Sequence, residues 1–249
     1  MTAGAESEFD AGMDLFTGVG GTYDTVRAYE FFARGAARGH PKSQAMCEIM
    51  KAMSAGKASY ADREVVKAAM GRGTTGSHAD WVLGKILELG LVGAPSGSEA
   101  LDMYRSAADK GSCMGLYELG RGLRAETVLT KAVDMGCVPA MMRLAEILVR
   151  GDAESVRRAE ELYRKGLARG SEDCGVRLAW MRVAGLDSRT DEIDLPGLLG
   201  GPAENGDVIA QCLLGFVYRH GIRVPTSYER ALYHFLQASD QGSSFARCQ

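Results

Sequence analysis

The 249-residue sequence predicts an all-α solenoid of about seven helix–turn–helix repeats. Three observations carry that prediction: a repeat interval near 35 residues, two phased series of glycines, and apolar residues at helical spacing. Small residues open an apolar-periodic segment at Ala11, Ala45, Ala79, Gly115, Ala140, Cys174, Ala210 and Ala246. The intervals between them are 34, 34, 36, 25, 34, 36 and 36 residues. Eleven residues after most openings stands a glycine: Gly56, Gly90, Gly151, Gly185 and Gly221. A second series, Gly39, Gly73, Gly111, Gly136, Gly170, Gly206 and Gly242, closes the units.

Each unit reads as two helices, A and B. Helix A is clearest from Ala140 to Gly151, where Leu144, Ile147 and Leu148 share one face. Helix B is clearest from Ala231 to Gly242, with Leu232, Phe235 and Leu236 one turn apart. The glycines suit left-handed C-caps. Asp24, Ser96, Ser155, Asp191 and Ser227 are expected N-caps of the B helices. Gly84, Gly120, Ala145, Ala179 and Gly215 lie five residues into helix A, where two antiparallel helices joined by a short loop need a small residue at their crossing. The units are expected at 8–40, 43–73, 77–111, 113–136, 138–170, 172–206 and 208–242 of a single solenoid domain, with 243–249 starting an eighth helix. A single hairpin cannot bury its own apolar faces, so neighbours must stack.

Irregularities are expected at three places. Unit four lacks about ten residues between its helices, which predicts a tight turn near Gly122, and unit two has only KASYA between Gly56 and Asp62. In unit six, Pro196, Pro202 and the Gly200–Gly201 pair predict a shortened or broken second helix. Unit one has the fewest apolar residues in helix A, as befits a cap.

Ala210–Gly242 resembles the Sel-one-like repeat, a relative of the tetratricopeptide repeat, through Ala210, Leu214, Gly215, Tyr218, Gly221, Ala231, Phe235, Ala238 and Gly242. Ala79–Gly111 resembles it through Leu83, Gly84, Ala100, Tyr104, Ala107 and Ala108. The resemblance covers almost the whole chain and implies an α/α right-handed superhelix. It further implies that helix A lines a concave face, with offsets two, six and nine from each opening residue turned to the groove. Those positions hold Lys51, Trp81, Lys85, Glu88, Tyr117, Arg121 and Arg124 in the earlier units. The later units add Met142, Val149, Val176, Trp180, Val183, Phe216 and Arg219. Tryptophan and arginine are enriched among binding hot spots.

The chemistry expected elsewhere is bland. The net charge of −3 gives no basic excess for nucleic acid, and no apolar run is long enough to span a bilayer. The N-terminus lacks a basic segment leading into an apolar core and is acidic, so intracellular residence in a reducing compartment is the expectation: cytoplasmic by default, with the mitochondrial matrix open. GRGTTG at 71–76 has the dinucleotide glycine pattern without a strand before it, and reads as an inter-repeat turn. Cys47, Cys113, Cys137, Cys174, Cys212 and Cys248 show no zinc doublet and read as small buried apolar residues. They also lack the two cysteines per repeat that some secreted relatives pair. His40, His78, His220 and His234 read as loop or surface residues, and the 12 methionines as adaptable core.

The expected function is therefore a non-enzymatic protein-interaction scaffold or adaptor, or a structural subunit of a larger assembly, holding a partner segment on the helix-A face. No catalytic residue, metal ligand or cofactor is assigned. An RNA-binding helical array is the alternative, and a hydrolase acting on β-lactams or cell-wall fragments ranks below it.

Overall fold

Glycine placement explains the architecture. The computed structural model describes residues 3–55, 77–91, 95–186 and 193–247, and among these the secondary structure is fourteen helices in successive pairs. They are α1 (Ala3–Thr17), α2 (Thr25–Ala37), α3 (Pro41–Ala55), α4 (Ser77–Leu89), α5 (Gly97–Asp109), α6 (Cys113–Leu123) and α7 (Glu126–Asp134). There follow α8 (Val138–Leu148), α9 (Ala153–Ala168), α10 (Glu172–Val183), α11 (Leu195–Glu204), α12 (Val208–His220), α13 (Tyr228–Asp240) and α14 (Ser244–Arg247). Contacts group the chain into two compact units, Met1–Leu144 and Ala145–Gln249, with the boundary inside α8. Within each unit, successive helices pack on one another and alternate A helices also meet, α4 on α6 and α10 on α12. That is a solenoid-like repeat arrangement.

The closing glycines do what their position requires. Gly39, Gly111, Gly136, Gly170, Gly206 and Gly242 all have φ between 78° and 94°, a region that L side chains resist. Gly90, Gly185 and Gly221 end A helices at φ 64–68°. Gly151 does not adopt positive φ, and a Cβ there would press on Ser155. Gly56, Gly73 and the GRGTTG turn lie outside the described residues, as do KASYA and Asp191.

Helix pairs are held by a ring set against a glycine. A Cβ at Gly215 would sit 2.6 Å from the Phe235 ring, one at Gly12 would sit 2.6 Å from Phe32, and one at Gly84 would collide with Tyr104. In each pair the glycine and its ring are twenty residues apart. This corrects the expected phase of unit one. Its crossing residue is Gly12, so the unit opens at Ser7, not Ala11. In that phase α1 has a full apolar face, burying Ala5, Phe9, Met13 and Phe16.

The remaining irregularities resolve by backbone accounting. The turn between α6 and α7 falls at Arg124, which adopts φ 51° with its N–H on the Gly120 carbonyl, while Gly122 stays inside the helix. α11 has ten residues and runs unbroken through Pro202, with Pro196 in its first turn, where a missing N–H costs nothing. Its N-cap is Asp194, bonded to Gly197 N at 3.1 Å. Asp152, three residues before the expected Ser155, caps α9. Asp24, Ser96 and Ser227 stand at the expected caps, although the Ser96 side chain makes no cap bond.

In the Ala145–Gln249 unit, Ala179, Leu195, Leu199, Leu214, Val217, Tyr218, Phe235 and Ala238 form one core. Two substitutions test these backbone arguments in urea. Gly215→Val is expected to destabilise by about 2 kcal/mol, because the branched side chain overpacks Phe235. Arg124→Gly is expected to stabilise by about 1 kcal/mol, by relieving a left-handed arginine.

Candidate functional site

The sequence-assigned groove residues separate into three kinds. Trp81 (0% exposed) and Val176 (2% exposed) are core, so neither offers surface to a partner. Trp81 packs on Phe16, with ring centroids 5.7 Å apart, beneath the groove of the Met1–Leu144 unit. Lys51 is exposed and paired with Glu48 at 2.8 Å, and Val149 lies in the turn after α8. The others border grooves, except Glu88 and Arg124.

In the Met1–Leu144 unit a groove of about 520 Å³ gathers Lys85, Tyr117, Arg121 and Met142 with Phe16, Tyr23, Met50, Met53, Met114 and Pro139. Its charges already satisfy one another. Lys85 and Glu88 lie one turn apart on α4, and Glu118 and Arg121 one turn apart on α6, in opposite charge order. The Lys85 ammonium is 2.7 Å from Glu88 and 2.6 Å from Glu118, whereas the Arg121 guanidinium is 2.6 Å from Glu118 and 2.5 Å from Glu88. The Tyr104 hydroxyl donates to Glu88 at 2.7 Å. The result is a closed ring of two cations and two carboxylates that joins neighbouring A helices.

Sequence reasoning missed Glu118, which is 2% exposed. Its signal was present: an i,i+3 charge pair on α6 that mirrors the pair on α4. Burial works to raise the Glu88 carboxyl, but hydrogen bonds from Lys85, Tyr104 and Arg121 prevail and lower it to about 2. Burial beside Glu118 pushes the Tyr117 phenol up to about 12. Arg124 belongs to the turn described above.

In the Ala145–Gln249 unit, Trp180, Val183 and Phe216 meet. With Ala184, Val208, Ile209, Cys212, Leu213, Ser243 and Phe245 they line a groove of about 490 Å³. Trp180, Ile209 and Phe245 are 39%, 44% and 48% exposed, a cluster of large apolar side chains facing water. Arg219 borders a different cavity, against α13.

One arrangement resembles a nucleophile, base and orienting acid. The Ser43 hydroxyl lies 2.8 Å from His40 Nδ1, and His40 Nε2 lies 2.9 Å from Glu6. Ser43 is fully buried and a Cβ on Gly35 would collide with it, so the hydroxyl is closed to substrate and fastens the start of α3. Three histidines differ from the surface expectation: His40, His78 and His234 are half-buried, and burial lowers the pKa of the latter two. Cys47, Cys113, Cys137 and Cys174 are buried thiols and Cys212 is half-buried, while Cys248 lies outside the described residues. Among the described residues no cluster of histidine, cysteine and carboxylate side chains is placed to hold a metal, and no helix is long and apolar enough to cross a membrane.

The ion ring makes a sharp prediction. Lys85→Ala leaves buried Glu118 short of a partner and is expected to cost about 3–5 kcal/mol, whereas Lys51→Ala should stay within about 0.5 kcal/mol. Chemical denaturation of both variants checks this. Because the Glu88 pKa falls from 4.5 to about 2 on folding, its contribution is complete above pH 4.5 and disappears as pH drops toward 2. A Glu88→Gln variant is therefore expected to show a flatter loss of stability across that window.

Comparison with known proteins agrees with the pairing of helices. The Sel1 repeat profile matches residues 5–40, 77–112, 138–171 and 208–243, together more than half of the chain. Protein sel-1 homolog 2 of Rattus norvegicus is 26% identical over 149 residues, which cover 55% of this chain and 21% of that protein. The chain thus spans about a fifth of that relative's length. Among solved structures, a protective antigen of uropathogenic Escherichia coli strains displaying an SLR fold superposes with a TM-score of 0.67. That match has 26% identity and covers 98% of this chain and 55% of the antigen. A Sel1 repeat protein from Oxalobacter formigenes superposes with a TM-score of 0.63 at 19% identity, covering 80% of this chain and 83% of the other. With its glycine–ring crossings, stacked helix pairs and four matched repeats, the chain belongs to the Sel1 repeat family.

Proposed function

We propose that the chain is a protein-interaction module, a scaffold or a subunit of a larger assembly, that seats a partner segment in the groove of the Ala145–Gln249 unit. The observation that carries this reading is the cluster of Trp180, Val183, Ile209, Phe216 and Phe245 around one apolar groove, with three of those side chains about two-fifths to one-half exposed to water. Soluble proteins rarely leave several large apolar groups together unless something covers them. Among the described residues no charged side chain lines that groove, so the segment it suits presents aliphatic or aromatic anchors. Family membership supports the reading, since repeats of this kind serve as interaction surfaces. The Met1–Leu144 groove is a weaker candidate: its lysine, arginine and glutamates are committed to the ion ring.

A Trp180→Ala/Phe216→Ala double variant should keep its helical circular dichroism yet bind the native partner about 30-fold more weakly, as expected for two hot-spot side chains. Cross-linking from position 216 in the native source, followed by mass spectrometry, identifies the partner. If the same proteins are captured with unchanged affinity by the double variant, the groove assignment is wrong.

A further inference from the structure

Three sulfur atoms meet in the core of the Met1–Leu144 unit. Cys113 is the first residue of α6, Met114 follows it, and Cys137 immediately precedes α8. All three are buried, at 3%, 3% and 0% exposure. Cys137 Sγ lies 3.8 Å from Met114 Sδ, and the Cys113 and Cys137 thiols are hydrogen-bonded to each other. The Thr17 hydroxyl at the end of α1 reaches Cys113, and the next residue, Gly18, is packed against the Val138 side chain.

Thiols at these two positions meet backbone donors. The N–H groups of Cys113 and Met114 face the Cys113 sulfur, and that of Ala140 faces the Cys137 sulfur. Free N–H groups in the first turn of a helix favour a thiolate over a thiol. Glu118 opposes this at Cys137, but Lys85 and Arg121 neutralise that carboxylate.

The spacing suits a metal better than a disulfide. A disulfide needs its sulfurs about 2 Å apart, whereas two donors sharing one metal through bonds of about 2.3 Å stand roughly 4 Å apart at trigonal angles. The 3.8 Å edge between Cys137 and Met114 is of that length. Two thiolates and a thioether are soft donors, which select Cu(I) and leave hard cations to oxygen. Structural zinc takes four donors from cysteine, histidine and carboxylate, and among the described residues no third such side chain joins the two cysteines. Met114 also lines the groove of about 520 Å³, which gives an ion its path in.

We propose that Cys113, Cys137 and Met114 form a binding site for one Cu(I) ion, held by the three sulfurs with Thr17 beside them. The ion replaces both thiol protons, which leave to solvent: two thiols and Cu(I) give a bis-thiolate complex of one negative charge and two released protons, with no change in oxidation state. The helix N–H groups answer the remaining charge. The site lies apart from the Trp180–Phe216 groove, so it stands or falls independently of that reading.

The test titrates the reduced 249-residue chain anaerobically with Cu(I) against bicinchoninate as a competing chelator. One tight equivalent is expected, with X-ray absorption showing sulfur alone bound to copper. Met114→Leu conserves volume and should weaken binding about tenfold. Cys113→Ser/Cys137→Ser should abolish the tight site, and Cys47→Ser/Cys212→Ser should leave it intact. Circular dichroism checks folding, and the Met114 variant with the spectrum of the unaltered chain keeps the test decisive where the double variant fails to fold. No tight equivalent, nitrogen or oxygen bound to copper, or full binding by Cys113→Ser/Cys137→Ser overturns the proposal. So does a Cys113–Cys137 disulfide recovered from the native source by peptide mapping, because the two thiols are then committed to each other.

Discussion

The close approach of two helices at a glycine is the constraint on which the rest of the structure depends. Gly12, Gly84 and Gly215 each give up a side chain so that Phe32, Tyr104 or Phe235 can press close against helix A. The burial of a ring there outweighs the helix propensity lost by the glycine, about 1 kcal/mol. The crossing sets the depth of each pair and thereby which residues of helix A are left to meet the next pair. Gly120 meets Leu129 in the same way, which lets the shortened fourth unit keep the geometry with an aliphatic in place of a ring.

A second layer of order comes from charge. Neighbouring A helices lie side by side, and in the Met1–Leu144 unit Lys85, Glu88, Glu118 and Arg121 close into a ring across that contact. Buried carboxylates persist only with cations beside them, and each of these four has two oppositely charged neighbours. The ring spends on cohesion the charges that would otherwise give this groove electrostatic selectivity. Among the described residues the Ala145–Gln249 unit shows no counterpart at Trp180, Val183 and Phe216, and its groove is lined by apolar side chains instead. Grooves built on one scaffold thus differ in kind because residues at the same offsets in helix A differ.

Helix termini show how local signals are read and misread. A serine four residues before a helix landmark marks the right turn but not always the right residue. Asp152 outbids Ser155 because starting earlier adds a turn and places a carboxylate at the positive end of the helix. Likewise Arg124 takes the left-handed position expected near Gly122, because α6 continues through Leu123 before the chain reverses. A loop that short leaves little choice about which residue turns.

The sequence by itself determined the fold class, the repeat interval and, Gly151 apart, the positions of the left-handed glycines that close the described helices, since these follow from backbone geometry and apolar spacing repeated along the chain. It also placed Trp180, Val183 and Phe216 on one face of successive A helices. Only the tertiary structure decided that Trp81 and Val176 are core, that Lys85, Glu88 and Arg121 close into an ion ring with Glu118, and that Arg219 borders α13. The phase of unit one, seen through Gly12 and Phe32, also needed the structure. The physical reason is common to all of these. Spacing along a helix says which residues share a face, but whether that face meets water or another helix depends on the stagger between neighbours, which is set by side-chain packing between segments distant in sequence.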